Sequence, residues 1–72
     1  MAVPKKNREL KAMLRRAGFF QVAGGKGSHT KWRHPNLSRT LTLSGQDGAD
    51  ARRYQEENVE NAIRDSQAGG AK

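Results

Sequence analysis

Three short runs that read as strands, 19–23, 28–34 and 39–44, are joined by connections of only a few residues. Parallel strands need a crossover of about a dozen residues or more, so these runs pair as an antiparallel meander. Gly24-Gly25-Lys26-Gly27 reads as a hairpin turn, because glycines adopt positive φ without strain. Pro35-Asn36 closes the second run. A strand has a side-chain period of two, so Leu41 and Leu43 point one way and Thr40 and Thr42 the other. In the first run Phe20 and Val22 share a face, and Phe19 packs at the junction with what precedes it.

A helix flanks the strands on each side. Asn7 is the expected N-cap of a helix through about Ala17. Leu10, Met13, Leu14 and Ala17 follow the i, i+3, i+4, i+7 spacing of one buried stripe, and Gly18 is its stop. Gly45 to Asp50 reads as a polar loop. Val59, Ala62 and Ile63 form a second stripe, which predicts a helix over 55–67 with 51–54 irregular or a separate first turn. Residues 1 to 5 read as a loose arm and 68–72 as a disordered tail after a single domain over 1–67. The expected fold is α+β: a two-layer α-β-β-β-α sandwich, with both helices on one face of an antiparallel three-stranded sheet. Trp32, Phe20, Val22, Leu41 and Leu43 are the sheet's expected share of the core.

At 72 residues and 33% hydrophobic content that core is small, and without cysteine it has neither disulfides nor a cysteine-based zinc site. Histidine and carboxylate spacing suggests no metal site and no cofactor. No apolar run approaches the roughly 18 residues of a membrane span, and the start lacks the apolar region of a secretory signal, so a cytoplasmic protein is expected. The net charge of +7 is unevenly placed: residues 1–46 carry +9 and residues 47–72 carry −2. A polyanion-binding surface is therefore expected on the first two thirds of the chain.

Residues 24–35, Gly-Gly-Lys-Gly-Ser-His-Thr-Lys-Trp-Arg-His-Pro, give that surface its chemistry. Strand alternation puts His29, Lys31 and Arg33 on one face and Thr30 and Trp32 on the other. A proton-transfer group among cations suits a phosphate-bearing polymer, which points to RNA cleavage or RNA binding. Ser28 has no Asp or Glu placed to complete a triad, so it shapes the turn or bonds phosphate. The glycine run lacks the Gly-Lys-Ser/Thr ending of a Walker loop. His34, on the Trp32 side and before proline, reads as structural or turn-capping, and Trp32 as packing rather than as a base-stacking ring.

Ala17-Gly18-Phe19 closing a helix, then Gly-Lys-Gly-Ser-His and Arg-His-Pro, resembles the HicA toxins of bacterial toxin–antitoxin systems. Leu43-Ser44-Gly45-Gln46-Asp47-Gly48 and Tyr54-Gln55 also look typical of one branch, and the resemblance covers about residues 8–66. It implies a fold like the double-stranded RNA-binding domain and a metal-independent endoribonuclease acting on mRNA. The family's catalytic histidine follows Gly-Ser, which maps onto His29. A cognate HicB-type antitoxin is implied as the partner, covering the histidine face.

Histidine suits acid–base work because its ordinary pKa of about 6.5 lies near working pH. Lys26, Lys31 and Arg33 are the candidates for stabilising charge on a phosphate, and Gly27 and Ser28 complete the expected RNA-binding set. The competing reading is a non-catalytic RNA-binding module of the same fold. Such a module usually carries a lysine cluster at the start of its second helix, where this chain has Arg52 and Arg53 followed by Glu56 and Glu57. A DNA-binding or antitoxin-like protein ranks last, since no recognition helix is evident.

Overall fold

The computed structural model describes residues 4–70. The element order is α1 (Asn7–Arg16), β1 (Phe20–Val22), β2 (Thr30–Arg33), β3 (Leu41–Leu43) and α2 (Arg53–Gly70). The three strands form one antiparallel sheet with β2 in the centre. This is the α-β-β-β-α sandwich expected from the sequence. Leu10, Leu14, Phe19, Trp32, Leu43, Ala51, Val59 and Ala62 form its core, and Leu37, Leu41 and Ile63 pack against it.

The chain turns from α1 into β1 through a two-bond helix stop. Gly18, at φ 95°, donates its N–H to the Arg15 carbonyl at 3.1 Å, and Phe19 donates to Leu14 at 2.9 Å. These bonds satisfy carbonyls that the helix end would otherwise leave orphaned, and they bring the first residue past the glycine onto the helix's apolar side. Phe19 is accordingly buried beside Leu14. With Phe19 turned inward, the next residue faces outward. Phe20 and Val22 therefore do not join Trp32, Leu41 and Leu43 in the core, contrary to the expectation. Phe20 pairs with Arg33 and Val22 with Lys31, which puts both on the outer face of the sheet.

The N-terminus of α1 differs as well. Lys6 is the N-cap, and its backbone N–H donates to the Glu9 carboxylate at 2.6 Å. Asn7 is the first helical residue, buried, with its side-chain amide donating to the Gln46 carbonyl at 2.8 Å. The Asn7 and Arg8 backbone N–H groups donate to Ala49 and Asp47, and Ala51 donates to the Lys5 carbonyl at 2.7 Å. The 45–50 loop thus caps α1 from outside, and Lys5 is tied down rather than part of a loose arm. Residues 1–3 lie outside the described residues.

Helix α2 is continuous from Arg53, two residues before the expected start, and its buried Gln55 explains the difference. The Gln55 amide accepts from the Ser44 N–H at 2.7 Å and donates to the Ser44 carbonyl at 2.9 Å, so this turn of helix docks onto the end of β3. The helix also runs through 68–70, assigned to a tail from the sequence; residues 71 and 72 lie outside the described residues.

Candidate nucleic-acid interface

The helices cover one face of the sheet, and the other is open. Reading across the register, Phe20 and Arg33 form one pair on this outer face, and Val22, Lys31 and Thr42 form a row. Arg33 is exposed, with a long 3.5 Å contact to the Thr40 hydroxyl. Lys31 is half-buried because its side chain lies along Gly24 in the preceding turn.

His29 stands immediately before β2 rather than within it, and is exposed. Its backbone N–H donates to the Lys26 carbonyl at 2.9 Å, closing a turn in which Lys26, Gly27 and Ser28 are all exposed. Gly25 holds this turn together by having no side chain. A Cβ there would stand 2.1 Å from the His29 carbonyl oxygen and 3.2 Å from the Thr30 Cα. The backbone that presents His29 is packed directly against Gly25.

Ion pairing sorts the cations. Lys6 pairs with Asp50 at 2.6 Å, Lys11 with Asp47, Arg39 with Asp65 at 2.8 Å, and Arg53 with Glu57 at 3.4 Å. Three of these pairs join a base from the first two thirds of the chain to an acid from the last third. The Lys11 ammonium, through its hydrogen bond and its charge, holds the Asp47 carboxyl below its usual range. Among the described residues, no ion pair includes Lys26, Lys31 or Arg33. The C-terminal acids thus neutralise cations elsewhere, and the outer sheet face keeps its positive charge.

The other two ring systems named from the sequence are structural. The Asn36 N–H donates to His34 Nδ1 at 3.0 Å, so Nε2 carries the proton and donates to the Ala17 carbonyl at 3.0 Å. The ring also packs 4.8 Å from Phe19. His34 therefore ties the β2–β3 turn to the end of α1. Trp32 is fully buried, its Nε1–H donates to the Thr30 hydroxyl at 2.9 Å, and the Arg15 guanidinium lies 5.1 Å from its ring centroid. No nucleobase can reach it.

The aromatic ring that the outer face does present is Phe20, 49% exposed. Sequence reading missed it by starting the inward phase one residue late. The signal was available: the residue directly after a C-terminal glycine is the one that packs back onto the helix. Among the described residues, no cluster of three or more His, Cys, Asp or Glu is placed to hold a metal ion. No helix in that range is long and apolar enough to cross a membrane.

The family described as HicA toxin of bacterial toxin–antitoxin matches residues 8–67, most of the chain. The chain belongs to this family and is thus the toxin component of a toxin–antitoxin system, with a cognate antitoxin as its implied partner. No curated protein and no solved structure matched it.

Proposed function

We propose that this toxin is a metal-independent endoribonuclease that cleaves mRNA, with His29 as general acid or base. One observation carries the reading: an exposed histidine, held by a tight glycine turn, adjoins a sheet face whose lysine and arginine enter no ion pair among the described residues. Phosphate contacts from Lys26, Lys31 and Arg33, and from the Gly27-Ser28 turn, would hold the RNA backbone across that face.

RNA supplies its own nucleophile. The 2′-hydroxyl attacks the adjacent phosphorus and loses its proton, while the bond to the leaving 5′-oxygen breaks and that oxygen gains one. The products are a 2′,3′-cyclic phosphate and a 5′-hydroxyl. A positioned imidazole performing one of these transfers contributes on the order of 100- to 10,000-fold. Cations beside the non-bridging oxygens stabilise the phosphorane. A single clear proton-transfer group fits a slow enzyme, which suffices for growth arrest. The antitoxin, of the HicB type in this reading, would neutralise the toxin by covering the histidine face. The site of action is the cytoplasm, where mRNA is.

The non-catalytic RNA-binding module has less support. Where such a module carries a lysine cluster, this chain has Arg52 and Arg53 followed by Glu56 and Glu57, and Arg53 is paired with Glu57 at 3.4 Å. Induced expression of wild type and His29→Ala, with growth and total mRNA integrity followed in the same cultures, tests the proposal. Arrest with mRNA cleavage in wild type alone is expected. Equal arrest without cleavage in both would mean RNA sequestration, and no arrest in either would overturn toxicity through RNA altogether.

A further inference from the structure

We propose that Phe20 is a stacking platform for one unpaired base of single-stranded RNA, set on the same sheet face as the cations that hold the backbone. The inference rests on the RNA substrate proposed above, but not on the chemistry assigned to His29. Phe20 is 49% exposed although it lies within a strand, where an apolar ring gains by burial. Its cross-strand partner is Arg33, and Lys31 stands one pair further along the same face opposite Val22, so the ring shares that face with two cations that enter no ion pair among the described residues. An aromatic ring among free cations matches the two demands of a nucleic-acid single strand, a π-face for a base and positive charge for the phosphates. Duplex RNA does not fit, since its bases are stacked on one another and only splayed-out bases reach a protein ring. Arg33 lies four residues along β2 from His29, roughly 13 Å at strand spacing. A base stacked on Phe20 would therefore set which nearby linkage lies at the histidine, making Phe20 a positioning residue.

Trp32 is buried and cannot take this part, and Tyr54, the other exposed ring, lies on α2, away from the strand pairs that carry Lys31 and Arg33. The combination of an exposed π-face with cations on one sheet face commits the platform to single-stranded RNA as its occupant.

The test is fluorescence anisotropy of a short fluorescein-labelled single-stranded RNA, titrated over a salt series with the His29→Ala chain so that no cleavage intervenes. Adding Phe20→Leu is expected to weaken binding about tenfold. The salt slope should stay unchanged, because no phosphate contact is lost. Phe20→Trp, which restores a π-face, should bind like the parent, and thermal melting of each variant checks that it is folded. Phe20→Leu binding RNA like the parent would overturn the platform, as would loss of antitoxin binding with RNA binding intact. If the parent does not bind RNA at all, the functional reading fails and this inference with it. If wild type binds RNA without cutting it, only the role of His29 fails.

Discussion

At the residue scale, the candidate site depends on an atom that is missing. Gly25 lets the hairpin backbone lie against the His29 carbonyl, and an alanine methyl at 2.1 Å from that oxygen forces the turn to open. Gly25→Ala is expected to leave the fold standing, since the turn is exposed and contributes nothing to the core. RNA cleavage should fall about 100-fold, because a shift of roughly 1 Å in a catalytic group costs that much. A melting curve and a cleavage assay on the same preparation check both halves. The sequence displayed the glycine run, and with it a turn, but not which glycine the histidine rests on. That is a contact between residues 25 and 29, decided by how the loop folds back.

At the scale of elements, the 45–50 loop is the joint between α1 and the rest of the molecule. It satisfies the first N–H groups of α1 through Asp47 and Ala49, and its two aspartates pair with Lys11 and Lys6. Asp47 is held in its charged form in the fold, so it adds stability that is present above the usual carboxylate range and lost as pH falls through its depressed pKa. Asp47→Asn is therefore expected to melt below wild type at neutral pH. The gap should close as pH drops below about 4, where the wild-type carboxyl also becomes protonated in the unfolded chain. Thermal melts across pH 2 to 8 would check the sign. From the sequence this stretch was only a polar loop. Its partners lie 36 to 44 residues away, beyond any local pattern.

At the scale of the whole molecule, a small core and a divided charge do most of the work. Trp32 is the largest fully buried side chain, so Trp32→Ala should cost about 3–5 kcal/mol. Against a domain stability on the order of 5 kcal/mol, that is enough to unfold the chain. Loss of the far-ultraviolet dichroism of the folded state at 25 °C would show it. The charge division predicts a contrast on the surface. Lys31→Ala and Arg33→Ala should each weaken RNA binding and lower the salt slope by about one. Lys6→Ala, which removes a cation already paired with Asp50, should leave the slope unchanged.

The sequence alone determined the element order, the antiparallel pairing and the face that carries Lys31 and Arg33. Those follow from the short connections, the period of two and the period of 3.6, which are local and so visible in a linear string. Tertiary structure decided the rest. Phe19 went inward and Phe20 outward because the stop at Gly18 packs its next residue onto α1, which set the phase of β1. Asn7 became a buried clamp on the 45–50 loop, and Gln55 extended α2 by docking on β3. Which cations are paired was settled by acids that approach only on folding, and no string pattern reports a contact between residues 26 to 44 places apart.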